Sequence, residues 1–232
     1  MTIDLLHYMS KRVKKQEEPQ KPKQPGPVIT ISREFGCPAK KVAKKLTAAI
    51  NDSQREGDKP EEWKWISKEI LHDAAEELNV HPNKIKYVFD YEEKNVIDDI
   101  LASLSDKYYK SDKKIRQTIR NVIYSIAEEG NVIIVGRGGI AITKAIPHSF
   151  HINLEAPLEW RAIRISTKND KSIEESRKLA KDIDKKREKF REEFEGKNTD
   201  YTHFDVSFNC MTSSVDEIVK ALLCMIKTRG LI

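Results

Sequence analysis

Cysteine is scarce in this chain: Cys37, Cys210 and Cys224 are the three in 232 residues. An odd number, without close pairing, fits neither a zinc motif nor a disulfide scaffold, and points to a reduced, cytoplasmic protein. Long apolar runs are missing. No run approaches the roughly 20 residues of a membrane span, so a membrane is not an expected partner. The N-terminus lacks an apolar core followed by a cleavage site, so no signal peptide is expected. A body-wide basic field is absent as well. The net charge is +5, but residues 1–27 hold six Lys/Arg against three acids, which leaves +2 for the rest of the chain. That balance argues against a dedicated nucleic-acid binder. The six histidines, His7, His72, His81, His148, His151 and His203, are scattered without metal-ligand spacing, so no side-chain metal site is expected. There is no internal repeat.

The length suits one domain of ordinary α/β size, with room for an inserted helical part. Charged residues make up 34% of it, above the roughly 25% of an average domain, and much of the excess reads as solvated helix faces. Residues 1–27 form a separate segment. Pro19, Pro22, Pro25 and Pro27 stand there among Lys and Gln, the composition of a flexible basic arm. Within it, Thr2–Val13 places Leu5, Leu6 and Met9 on one side, but an isolated helix that short is marginal in water.

The body alternates strands with helices, which implies a parallel α/β sheet. Strands are expected over Val28–Ser32, Trp63–Ile66, Val132–Val135, Ser149–Leu154 and Phe204–Asn209. The run Val132-Ile133-Ile134-Val135 is apolar throughout, as a strand covered on both faces should be. Helices are expected over Lys40–Asn51, Lys68–Leu78, residues 83–110, 112–128, Leu158–Ser166, 172–195 and Ser214–Thr228. Gly130 reads as a C-cap. Ser213 or Ser214, with Asp216 and Glu217 following, reads as a helix start. The helix over 172–195 has a sparse apolar stripe at Ile173, Leu179, Ile183, Phe190 and Phe194. Trp63 and Trp65 read as core or edge packing before a base pocket, and the acidic run from Asp90 to Asp99 as a solvated face.

The stretch Val28 to Leu46 is the most telling. A β-branched strand runs into a turn, and the turn into a basic amphipathic helix, the layout in which helix N–H groups and the helix dipole meet a phosphate. The turn itself, Gly36-Cys37-Pro38-Ala39-Lys40-Lys41, does not follow the pattern G-x-x-x-x-G-K-[ST]. Pro38 removes a backbone donor. Ala39 falls near the usual lysine and Lys41 near the usual metal-binding hydroxyl. Cys37, at a helix N-terminus among lysines, is expected to have a lowered thiol pKa, which leaves a redox role open.

Three blocks taken in order resemble the cytidylate kinase-like proteins, a branch of the P-loop nucleoside monophosphate kinases, over most of residues 28–226. They are Ile29-Thr30-Ile31-Ser32-Arg33-Glu34-Phe35-Gly36; then Val132 to Gly138 with Ile152 to Arg164; then Asp184-Lys185-Lys186-Arg187 with Phe204 to Asn209. The resemblance implies a P-loop NTPase-type parallel sheet of about five strands flanked by helices. It implies a helical NMP-binding insertion near 61–110 and a lid near 161–200. It also implies ATP-dependent phosphoryl transfer to a CMP- or dCMP-like acceptor, with ATP and Mg²⁺ as the cofactors and a nucleotide as the substrate. Arginine suits that chemistry, because its planar fork holds two phosphate oxygens at once.

Carried onto this chain, Arg33, Gly36, Cys37, Pro38, Ala39, Lys40 and Lys41 would face ATP. Lys40, Lys41, Arg161, Arg164 and Arg187 would act on the transferred group, and Arg137 would bind the acceptor phosphate. Arg161 and Arg164, three apart, share one helix face. Asp184 and Arg187 also read as a plain i,i+3 ion pair. Gly138 stands where the family's G-R-D element has the aspartate that helps read cytosine. The departures at Pro38, Ala39, Lys41 and Gly138 keep open an alternative, a nucleotide-binding or regulatory protein on the same fold.

Overall fold

A computed structural model describes residues 26–54, 62–67, 112–195 and 201–232, together with Glu76. The strands are β1 (Val28–Arg33), β2 (Lys64–Ile66), β3 (Val132–Val135), β4 (Ser149–Glu155) and β5 (Val206–Asn209). The helices among the described residues are α1 (Ala39–Gln54), α2 (Asp112–Glu129), α3 (Gly139–Thr143), α4 (Leu158–Asn169), α5 (Ile173–Glu195) and α6 (Val215–Thr228). The expected arm (all but Gly26 and Pro27), the helices over 68–78 and 83–110 (all but Glu76) and the acidic run at 90–99 lie outside the described residues.

The five strands form one parallel sheet in the order β2-β3-β1-β4-β5. Alternation along the strands builds a core on each face. Ile29 and Ile31 of β1, Ile133 and Val135 of β3, and Phe150, Ile152 and Leu154 of β4 point to one side. There they meet Val42, Leu46 and Ile50 of α1 and Ile218, Leu222 and Ile226 of α6. Val28, Val132 and Ile134 point to the other side, against Ile119, Ile123 and Ile126 of α2, Ile142 of α3 and Phe190 of α5. Each fully buried aliphatic side chain contributes roughly 2 kcal/mol. Trp63 is buried in the first of these cores and Trp65 packs on it, in line with the packing reading.

Helix α6 starts on a capping box: the Ser214 hydroxyl accepts from Glu217 N–H, and the Glu217 carboxylate accepts from Ser214 N–H. Gly130 ends α2 at φ +79°. Two short elements were not foreseen, α3 and the 3₁₀ turn Tyr201–His203. The buried stripe of α5 also differs from the expected one. Ile173 is exposed, whereas Ser176, Ala180, Ile183 and Phe190 are buried, a run at helical spacing that includes one small polar residue. Among the described residues, no helix is long and apolar enough to cross a membrane.

Candidate functional site

The sheet order defines the site. From β1 the chain goes to β2 on one side, and from β3 it goes to β4 on the other. The crevice between the C-terminal ends of β1 and β3 is therefore the topological switch point, the usual ligand position in an open parallel sheet. Two turns line it, residues 34–38 after β1 and Gly136–Gly138 after β3.

The first turn is held by a knot of charge. Arg161 of α4 is only 5% exposed. Its Nε–H donates to Ala156 O at 2.9 Å, and Nη1 donates to Phe35 O at 3.1 Å and to Asp184 Oδ2 at 2.5 Å. Nη2 donates to Glu34 Oε1 at 3.2 Å. Both carboxylates make a second bond to the backbone: Glu34 Oε2 accepts from Ala156 N–H at 2.9 Å, and Asp184 Oδ1 accepts from Phe35 N–H at 2.7 Å. One guanidinium thus joins the ends of β1 and β4 to α5. Glu34 and Asp184 are the partners that sequence reasoning missed. Asp184 had registered only as a neighbour of Arg187, from which it lies 4.0 Å away.

The remaining arginines gather around the same turns. Arg164 donates weakly to Gly36 O at 3.4 Å and lies 4.6 Å above the Trp160 ring. Arg187 donates to Arg33 O at 3.1 Å and lies 5.5 Å from the Phe35 ring. Arg33 reaches across the crevice: a Cβ placed on Gly136 would stand 1.6 Å from Arg33 Nη1, so only glycine allows that approach. Arg137, at φ +59°, donates to Ser67 O at 3.2 Å.

At the start of α1, Val42 N–H donates to Pro38 O and Ala39 N–H to Cys37 O, each at 3.0 Å. Cys37 N–H turns back to Glu34 O at 3.2 Å. With Phe35 N–H held by Asp184 and no donor on Pro38, the backbone donors at this turn without a partner among the described residues are those of Gly36, Lys40 and Lys41. Both lysines are exposed on the first turn of α1. Lys40, Lys41 and three N–H groups at a helix start suit an anion.

A divalent cation finds less there. Lys41 stands in the hydroxyl's place, and all the carboxylate oxygens of Glu34 and Asp184 are engaged. Among the described residues, no three His, Cys, Asp or Glu converge as a metal site. The turn does not fit a protein-held Mg²⁺.

The thiol at this turn departs from expectation. Cys37 is pushed up, not down: its S–H donates to the Cys210 sulfur, and burial and the charge of Glu34 act in the same sense. The helix N-terminus and the exposed lysines do not outweigh that bond. Cys210 is correspondingly lowered by accepting the bond, with Arg164 assisting.

At the turn after β3, Gly138 has φ +67°, and a Cβ there would meet Phe190 Cε1 at 3.2 Å and Phe194 Cδ2 at 3.4 Å. Phe190 and Phe194 form an edge-to-face pair with centroids 5.1 Å apart. The position of the family's aspartate is thus covered by two aromatic rings from α5, which spacing along the chain gave no means of seeing.

Residues 28–212 match the family described as cytidylate kinase-like. No curated protein sequence matches the chain significantly. Among solved structures, an uncharacterized protein from Eubacterium ventriosum superposes with a TM-score of 0.58 at 21% identity, over 87% of this chain and 98% of that one. A shikimate kinase from Bacteroides thetaiotaomicron gives a TM-score of 0.49 at 15% identity, over 86% of this chain and 98% of that one. At such identities the first likeness speaks to the fold alone. The match over residues 28–212, on a parallel sheet of order β2-β3-β1-β4-β5, shows that the chain belongs to the cytidylate kinase-like family.

Proposed function

We propose that this protein transfers the γ-phosphoryl group of ATP to a nucleoside monophosphate of the CMP or dCMP type. The observation that carries this reading is the convergence of Arg33, Arg137, Arg164 and Arg187 on the two turns of the β1–β3 crevice, beside the Lys40–Lys41 helix start. Phosphoryl transfer asks a protein mainly for positioning and charge neutralisation, and this site offers both.

In this reading Lys40, Lys41 and the N–H groups of Gly36, Lys40 and Lys41 hold the triphosphate, which supplies the phosphoryl group. Arg137 and Arg33 face the acceptor phosphate across Gly136. Arg164 and Arg187 approach the transferred group from α4 and α5, within the segment 161–200 that the family resemblance assigns to the lid. Residues 61–110 take the acceptor. Arg161 has a different part: four of its five N–H donors are engaged, so it positions the turn and does not touch phosphate. Any Mg²⁺ would arrive on the nucleotide, since the turn offers it no ligand, and no step is assigned to it.

A coupled ADP-release assay across the common ribo- and deoxyribonucleoside monophosphates tests the proposal. Turnover should be highest with CMP or dCMP, and a folded protein silent with every acceptor would refute it. One observation favours a second reading, nucleotide binding without turnover: among the described residues the turn keeps three unpartnered N–H donors, and it has no hydroxyl side chain. Calorimetric titration with ATP separates the two, because tight binding without ADP release is the result that reading requires.

A further inference from the structure

The turn after β1 already holds an anion. Asp184 projects from the middle of α5, and its carboxylate is gripped as a phosphate oxygen pair is gripped. Oδ1 accepts from Phe35 N–H at 2.7 Å, and Oδ2 accepts from Arg161 Nη1 at 2.5 Å. Arg187 Nη1 stands 4.0 Å from Oδ1. A backbone donor and two guanidiniums around one carboxylate are the groups that recognise an oxyanion. Phe35 N–H is also the immediate neighbour of Gly36 N–H, which has no partner among the described residues. Glu34 is placed differently. Its oxygens go to Arg161 and to Ala156 N–H, so it ties β1 to β4 and takes no N–H of residues 35–41.

The grip on Asp184 is built to open. The side chain is 25% exposed, so water reaches the carboxylate. A change of rotamer takes it off Phe35 without moving α5. The helix stays anchored without it, through Arg187 on Arg33 O at 3.1 Å and through Phe190 and Phe194 against Gly138. Arg161 likewise keeps Phe35 O, Ala156 O and Glu34 when Asp184 leaves.

We propose that Asp184 is an autoinhibitory stand-in for phosphate, whose carboxylate holds the head of the anion site until a polyphosphate, such as the tail of a nucleoside triphosphate, turns it out to solvent. The incoming anion then takes Phe35 N–H together with Gly36 N–H and comes within reach of Arg187. One anion replaces another on the same donors, and no covalent bond changes. The negative charge of Asp184 opposes every phosphate that approaches, so the contact sets the threshold for occupancy. The inference rests on the anion-binding turn of the function proposed above.

The experiment titrates tripolyphosphate, which has the charge of a nucleotide tail without base or sugar, into the full chain and into Asp184→Asn. The amide keeps the shape and an oxygen for Phe35 N–H, but not the charge. By calorimetry, tripolyphosphate should bind Asp184→Asn about tenfold tighter than wild type. A carboxylate that only supports the turn predicts the reverse, because its loss would loosen the site. Equal or weaker binding in the variant, or no binding by either protein, overturns the proposal. A second measurement needs no variant and decides the matter if Asp184→Asn does not fold. The backbone amide resonance of Phe35 in wild type should shift on saturation with tripolyphosphate, and a Phe35 resonance that stays in place overturns the exchange. The ADP-release assay separates this inference from the function. Tighter tripolyphosphate binding by Asp184→Asn, in a protein that never releases ADP, supports the stand-in and refutes the proposed function. ADP release with no gain in affinity does the opposite.

Discussion

Arg161 and the pair Lys40–Lys41 are all cationic and all close to the first turn, but their surroundings give them opposite expected phenotypes. Arg161 is buried and bonded to Glu34 and Asp184. Its loss strands two carboxylates that remain partly solvated, which lowers the usual cost of breaking a buried pair to about 2–3 kcal/mol. Arg161→Ala should therefore shift a urea unfolding midpoint strongly. Arg161→Lys should recover only part of that shift, since an ammonium cannot span Ala156, Phe35, Asp184 and Glu34 together. A wild-type midpoint in Arg161→Ala would refute the brace. The double variant Lys40→Ala/Lys41→Ala removes two exposed charges and should leave the midpoint within about 0.5 kcal/mol of wild type. Its ATP affinity, measured by calorimetry, should fall about tenfold or more, as expected for lost charge at a phosphate site. Sequence spacing shows why only half of this was legible. The i,i+3 relation of Arg161 and Arg164 is real: both reach the turn, at Phe35 O and Gly36 O. The bonds that decide the role of Arg161 cross 127 positions to Glu34 and 126 to Phe35, and no local period encodes those.

At the scale of elements, the strands were legible because a run such as Val132–Val135 is short, β-branched and closed by Gly136, which favours a strand covered on both faces, and all four residues are buried. The start of α6 was legible through its side-chain caps. The five-residue α3 was not, since it begins on Gly139 without a side-chain cap and is too short for a period to show. The stripe of α5 was misread at Ile173 because the helix packs on its neighbours through small residues, Ser176 and Ala180, that hydrophobicity does not flag. The same helix sets the turn after β3, since Phe190 is buried in the core and lies over Gly138. Gly138→Asp would restore the family's residue in name only. An L side chain at φ +67° costs about 1–2 kcal/mol, and a buried ring cannot move out of the way. The variant should melt roughly 5 °C lower and show no sharper preference for cytidylates than wild type in the ADP-release assay. A wild-type melting temperature together with a sharpened cytidylate preference would show that the aromatic cover yields.

At the scale of the whole molecule, the sheet leaves one polar row inside. The face of β4 opposite Phe150, Ile152 and Leu154 presents His151 and Asn153, each 5% exposed. Asn153 is bonded to Ser207 Oγ of β5 at 3.3 Å, while His151 Nδ1 pairs with Thr30 Oγ1 of β1 at 2.8 Å and Nε2 has no partner among the described residues. Burial holds the His151 imidazole down to about 4, with Asp205 opposing and His203 assisting the shift. The unfolded chain, with an ordinary histidine near 6.5, therefore binds a proton that the folded chain refuses throughout that window. Stability from this group is fully present above pH 6.5 and declines as the pH falls towards about 4. It reaches a loss of about 3 kcal/mol below both values. Surface carboxylates that are held low, such as Asp216 beside Lys45, also lose stabilisation in acid, so wild type alone does not isolate the effect. The comparison with His151→Asn does, because an amide can keep the contact with Thr30 without titrating. Urea unfolding at pH 7 and pH 4.5 should show wild type losing more stability between the two than His151→Asn, by about 2–3 kcal/mol. Equal losses would mean that the buried row takes up its proton without penalty, and that the neutral imidazole is not what the sheet interior requires.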